Sequence, residues 1–241
     1  MSESDKVFAK KRARVSDFVF DERVAAVFPD MIRRSVPGYE ALLPLLGVIA
    51  AGCVREDSNV YDLGCSLGAA LLAAHSQAGA RAHFIGVDNS EAMLRECRKR
   101  LDGAIPGPQL QLLHCDVLDA EITDASMVVL NFTLQFIDPA ERLGLLQRIY
   151  AGLRRGGALV LSEKVRFEDA EQQELQREFH RQFKAANGYS ELEIAQKRAA
   201  LEKVMTPDSE EAHLARLRRA GFARPARWFQ AFNFFSFVAH K

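Results

Sequence analysis

The sequence predicts an α/β domain: a mostly parallel, seven-stranded sheet with helices on both faces. Three observations predict it. Short apolar runs recur at Asn59–Leu63, Ala82–Val87, Gln109–Cys115, Ala125–Asn131 and Ala158–Glu163. Helical patterns separate most of them, and strands buried on both faces read as unbroken apolar runs rather than alternating ones. A glycine turn, VYDLGCSLGAA over residues 60–70, joins the first run to a helix.

The elements follow in order. Val24, Phe28 and Ile32 fall at i, i+4 and i+8, one face of an opening helix. Pro37-Gly38 breaks it, and Tyr39–Ala51 reads as a mostly apolar second helix. After the first strand, a helix over Leu67–Gln77 stops at Gly79. Asn89 or Ser90 can cap the next helix, which runs to about Leu101. Pro139 opens a helix expected to stop at Gly156-Gly157, before the fifth strand. Phe167–Ala186 and Glu191–Met205 read as charged helices around Asn187-Gly188-Tyr189. A helix over Ser209–Ala220 stops at Gly221. Two closing strands, Arg227–Phe229 and Asn233–Ala239, complete the sheet. The expected organisation is a flexible tail over residues 1–19 and a single α/β domain over 20–241, with a helical insertion at about 167–205.

Composition narrows the function. The 241 residues are 48% hydrophobic, enough for one sizeable core. Lys and Arg number 32, as do Asp and Glu. That balance lacks the basic excess of a protein gripping a nucleic-acid backbone, so direct nucleic-acid binding is not expected. The cluster Lys10-Lys11-Arg12-Ala13-Arg14 reads as a solvated tail. Cys53, Cys65, Cys97 and Cys115 have no C-x-x-C spacing, so no metal site is expected, and reduced, mostly buried thiols fit an intracellular chain. No apolar run is long enough to span a bilayer, and the N-terminus lacks an apolar signal core. A soluble, cytoplasmic protein without a membrane partner is expected.

The glycine turn lies where open α/β sheets bind ligands, at the carboxyl end of a strand. Gly64 permits the bend, and Gly68 permits close approach at the helix start. The dinucleotide fingerprint needs a glycine where Ser66 stands, to let a pyrophosphate approach. A nucleoside ligand without phosphates does not, which favours S-adenosylmethionine. Asp62, just before the turn, can help hold its amino-acid end. Asp88 ends the second strand, where a carboxylate accepts bonds from ribose hydroxyls. Asp116 follows the third strand, where it can read an adenine amino group or simply cap a turn. Asn131 ends the fourth strand, beside the reacting centre or as a cap.

A second feature lies at Ser190 and Glu193, which form a capping box. Ile194, Leu201 and Met205 then share an apolar stripe with Arg198. Arg198 either packs its stem and snorkels, or aims its guanidinium at an anion in a pocket. Beside a sulfonium, an arginine is repelled unless the ligand or substrate brings extra negative charge.

Six stretches carry a resemblance: FDERVAAVFPDMIRRSVPGY, VYDLGCSLGAA, ASMVVLNFTLQF, GGALVLSEK, GYSELEIAQKR and WFQAFNFFSFVA. Together they resemble the carboxy-S-adenosyl-methionine synthases, from about Phe20 to the end. The resemblance implies a Rossmann-like, class I S-adenosylmethionine-dependent methyltransferase fold. It implies conversion of S-adenosylmethionine and prephenate to carboxy-S-adenosylmethionine and phenylpyruvate. A companion tRNA carboxymethyltransferase would then use the product on wobble uridine. Tyr39, Gly64, Cys65, Ser66, Asp88, Asn89, Asp116, Val117 and Asn131 would line the nucleoside site. Arg198 would hold the new carboxylate, supplied across a homodimer. Arg33, Arg34, Lys164 and Lys197 are candidates for the prephenate carboxylates. An ordinary methyltransferase acting on tRNA or a small acid, or a non-catalytic subunit of a tRNA-modification complex, are the other readings.

Overall fold

The computed structural model describes residues 4–11, 15–79 and 82–241. Seven strands form one sheet: β1 (Asn59–Leu63), β2 (His83–Asp88), β3 (Leu110–His114), β4 (Ala125–Asn131), β5 (Leu153–Lys164), β6 (Ala226–Ala231) and β7 (Phe234–His240). Their order is β3-β2-β1-β4-β5-β7-β6. The pairs β1–β2, β1–β4, β2–β3 and β4–β5 are parallel, and β7 runs antiparallel to both of its neighbours. The order reverses between β1 and β4, and a crevice opens at such a point beyond the strands' carboxyl ends.

Among the described residues, eight α-helices surround the sheet: α1 (Glu22–Ser35), α2 (Tyr39–Cys53), α3 (Ala69–Ala78), α4 (Glu91–Leu101), α5 (Arg142–Gly152), α6 (Ala170–Ala186), α7 (Glu191–Leu201) and α8 (Glu210–Ala220). One sheet face packs Leu63, Leu130 and Leu159 against Leu145, Ile149 and Leu217 of α5 and α8. The other packs Val60, Met127 and Val160 against α2, α3 and α4 through Leu46, Leu71 and Cys97. None of the four cysteines is in a disulfide; three are buried and Cys115 is half-buried. No single helix among the described residues is long and apolar enough to cross a membrane.

Local chemistry sets the boundaries. Asp21 accepts the Val24 N–H at 3.0 Å and starts α1. Ser90 caps α4, and the Ser190–Glu193 capping box starts α7. Gly221 ends α8 in the left-handed region, at φ 118°. The helix expected to run to Gly156-Gly157 instead ends at Gly152. Both glycines lie inside β5, at a register shift opposite Ala125 and Met127. Glycine here marks a bulge rather than a helix stop.

The expected flexible tail over 1–19 is corrected for its described part; Arg12-Ala13-Arg14 of the basic cluster lie outside the described residues. Asp5 and Phe8 are buried. The Asp5 N–H donates to Asp30 at 2.8 Å, and its carboxylate accepts the Tyr189 hydroxyl. It also faces Lys197 at 3.6 Å. Gln196 donates to the carbonyls of Phe8 and Lys10, at 2.8 and 3.0 Å. This strap ties α7 to α1, and α7 carries Arg198. Asp5→Ala would leave the buried Tyr189 hydroxyl without its acceptor and the Lys197 ammonium without its carboxylate, with only Ser35 Oγ among the described residues to accept from it. A stability loss of about 3 kcal/mol is expected, read from the urea midpoint.

Candidate functional site

The glycine turn is built by exclusion. Gly64 sits at φ +80°, and a Cβ there would lie 2.4 Å from Thr133 Oγ1. Gly68 sits at φ +74°, and a Cβ would lie 2.7 Å from Leu101 Cδ1 and 2.8 Å from Cys97 Sγ. Ser66 also occupies the left-handed region, at φ 49°, although it is not glycine. Its N–H donates to Asp88 Oδ2 at 2.8 Å, and the Ser90 N–H donates to Oδ1 at 2.9 Å. Asp88 therefore joins the turn to the end of β2. Burial raises its pKa, while these two bonds oppose the rise.

Asp62 is buried, and its Oδ1 has no hydrogen-bond partner among the described residues. Burial, then the nearby Asp88 charge, pushes its carboxyl up to about 7. Asn131 Oδ1 is likewise buried without a partner. Asn131 lines the site's cavity, where a ligand would satisfy it, whereas Asp62 is not in that lining.

The cavity, of about 1060 Å³, opens over these strand ends. Gly64, Ser66, Asp88, Asn89, Asp116, Val117, Asn131 and Arg198 all line it. Asp116 spends Oδ1 on the Leu118 N–H at 2.8 Å, so the turn-capping role is present as well. The Cys65 side chain is not in the lining. Its N–H donates to the Val87 carbonyl at 2.9 Å, and its Sγ packs against Gly86, beside Cys97. Tyr39 also lies outside the lining: its ring lies 6.4 Å from that of Phe132, tilted by 40°, and Phe132 does line it. Burial, then the Asp62 charge, raises its hydroxyl pKa.

The far wall is cationic. Lys164 ends β5, and His180 and Lys184 come from α6. Lys197 and Arg198 come from α7 of the same chain. Arg198 Nε is 2.5 Å from Glu202, with the side chain 52% exposed. Of the four basic candidates for the second substrate, Lys164 and Lys197 reach the cavity. Arg33 and Arg34 do not line it: Arg33 pairs with Asp30 at 2.8 Å, and Arg34 lies over the Tyr189 ring at 3.9 Å. Sequence reasoning missed Arg177, His180 and Lys184. Their spacing of three and four residues puts them on one face of α6, the signal by which they could have been found. Glu163 is buried beside this wall but accepts the Leu134 and Gln135 N–H groups, at 2.8 and 2.9 Å. Burial pushes it up to about 8.

The fold and this cleft define a methyltransferase-fold domain of the kind that binds S-adenosylmethionine. Residues 60–157 match the family model described as a methyltransferase domain. An O-methyltransferase family protein from Burkholderia thailandensis superimposes with a TM-score of 0.66 at 17% identity, covering 92% of this chain and 60% of that one. Human N-acetylserotonin methyltransferase, solved with its S-adenosylmethionine, gives 0.62 at 14% identity, covering 91% of this chain and 55% of that one. The carboxy-S-adenosyl-L-methionine synthases of Salmonella arizonae and Salmonella newport are each 54% identical over 242 aligned positions, covering all of this chain and 98% of theirs. The chain belongs to the carboxy-S-adenosyl-L-methionine synthase family.

Proposed function

We propose that this chain is an enzyme converting S-adenosylmethionine and prephenate to carboxy-S-adenosylmethionine and phenylpyruvate. The observation that carries the reading is one cavity with two unlike ends. Asp88 and Asp116 line one end, suited to a nucleoside's hydroxyl and amino donors. Arg198, Lys164 and Lys184 line the other. A sulfonium alone would be repelled by that wall, whereas a carboxylate-bearing second substrate and a carboxylated product would not. A methyltransferase acting on an uncharged acceptor would have no use for it.

In this reading Gly64, Ser66, Asp88, Asn89, Asp116, Val117 and Asn131 hold the nucleoside and methionine parts. Tyr39 and Cys65 support them from behind. Prephenate aromatises by losing its ring carboxylate as carbon dioxide and its hydroxyl as hydroxide. The hydroxide takes a proton from the S-methyl group, forming water and a sulfonium ylide. The ylide carbon bonds to carbon dioxide and completes the new carboxylate. The chain's part is to hold both species together, exclude water and stabilise the carboxylate with Arg198. The product would serve a companion tRNA carboxymethyltransferase in the cytoplasm. A homodimer is part of the proposal. Leu175 and Leu192, on the helices beside Arg198, are 50% and 39% exposed and offer such a contact an apolar surface.

The test is mass spectrometry of small molecules released from the denatured protein after incubation with S-adenosylmethionine, with and without prephenate. A species heavier than S-adenosylmethionine by one carbon dioxide, growing only with prephenate, is expected. Unchanged S-adenosylmethionine in both samples would return the chain to the methyltransferase reading.

A further inference from the structure

The cationic wall carries more charge than its own acids neutralise. Arg177 pairs with Glu174 at 3.0 Å, and Arg181 with Glu178 at 2.7 Å. Arg198 has Glu202, and Lys197 has Asp5 and donates to Ser35 Oγ at 2.8 Å. Lys164, Lys184 and Arg166 remain, and of these Arg166 is solvent-exposed. Among the described residues, neither ammonium has a carboxylate at ion-pair distance or a hydrogen-bond acceptor. Lys184 is only 9% exposed, and both face the cavity. Burial pushes each down to about 8. Among neighbouring charges, Arg198 lowers Lys164 most, and Lys164 lowers Lys184 most. His180 lines the same cavity, its Nε2 2.8 Å from the Ser35 carbonyl at the end of α1. Burial holds its pKa well below the usual range, so it adds no compensating charge of either sign.

Two enclosed, unpaired, mutually repelling ammonium groups are costly unless an anion joins them. We propose that Lys164 and Lys184 form a carboxylate-binding subsite for the second substrate, adjoining Arg198. The subsite rests on the synthase reading for its ligand. It holds the keto-acid carboxylate that phenylpyruvate retains, not the ring carboxylate that departs. A departing carboxylate loses its charge on the way to carbon dioxide. A cation fixed on it would stabilise the ground state more than the transition state and slow the step. The retained carboxylate keeps its charge throughout, so ammonium groups there anchor the substrate without opposing decarboxylation.

The experiment compares the wild-type chain with Lys164→Met and Lys184→Met. Each variant is expected to raise KM for prephenate roughly tenfold to a hundredfold, the cost of losing one charge-assisted contact. Inhibition by phenylpyruvate should weaken by the same factor. S-adenosylmethionine affinity should hold and Tm should not fall, because each change removes an unpaired charge. Lys184→Arg should recover part of the loss. Should a methionine variant fail to fold, phenylpyruvate protection of the wild-type lysines against an amine-selective acylating reagent reads the same contact. Unchanged KM and inhibition in the variants, or no protection, would overturn the subsite. Carboxylated product together with unaffected variants leaves the synthase reading standing and removes the subsite. Lysine-dependent phenylpyruvate binding without any carboxylated product does the reverse. Neither product nor lysine-dependent binding removes both.

Discussion

Arg198→Ala is expected to lower the rate of carboxylation by about two to three orders of magnitude, the scale of losing one preorganised charge at a reacting centre. S-adenosylmethionine affinity is expected to change little. The split follows from position. Asp88 and the glycine turn, which in the proposed reading meet the nucleoside, are joined by an N–H donated to the Asp88 carboxylate, without involving α7. Arg198 meets the cavity only from the helical insertion. Nε is engaged by Glu202, which orients the guanidinium rather than neutralising the wall, since Lys164 and Lys184 stay unpaired. The charge is needed only once a second negative group enters, so its loss falls on turnover. Arg198→Lys keeps a charge but not the planar fork and should recover only part of the rate. Single-turnover formation of the carboxylated product, set beside calorimetric S-adenosylmethionine binding, measures both quantities. A variant with wild-type turnover would remove Arg198 from the chemistry.

The glycine-turn end of the cavity was legible in the sequence because it is local. The strand-to-turn transition at Leu63-Gly64 and the acid ending β2 follow from apolar runs and the residues that interrupt them. The cationic end was legible only in part: Arg198, Lys164 and Lys197 were candidates and line the cavity, but the α6 residues were missed because that wall is assembled from distance. Lys184 lies in a helix whose charge density reads as a solvated surface. Only packing on α1 and β7, seen in the His180 contacts with Ser35 and Phe234, turns that helix inward. Asp5 escaped for the same reason: its partners Asp30 and Tyr189 are 25 and 184 residues away. Gly156-Gly157 misled because the dipeptide that ends a helix also permits a bulge inside a strand, and nothing local separates the two. Cys65 shows a further limit. Sequence proximity to a turn does not say which side of it a side chain takes.

Arg142→Ala is expected to cost about 3–5 kcal/mol of stability, and its reason lies under the site rather than in it. Arg142 is fully buried, and no part of it touches the cavity. Its Nε donates to the Ile137 carbonyl at 2.9 Å, and Nη2 donates to those of Thr206 and Gln135 at 2.9 and 3.3 Å. Nη1 meets Asp208 at 2.5 Å. One guanidinium thus fastens the turn after β4 to the segment following α7, and Gln135, Met205 and Pro207 of those two stretches line the cavity. Alanine leaves three carbonyls without that donor. Asp208 is spared the worst, because Arg216 still holds it at 2.7 Å. Lysine cannot substitute, since one ammonium cannot span acceptors laid out for a fork. A chain of this size should lose roughly 10 °C in Tm. The functional signature separates this residue from Arg198. With the cavity floor loosened, S-adenosylmethionine affinity and turnover should fall together, whereas Arg198→Ala spares the first. An Arg142→Ala protein with the wild-type Tm would mean that the two segments are held by other contacts, and that the floor of the site does not depend on this buried charge.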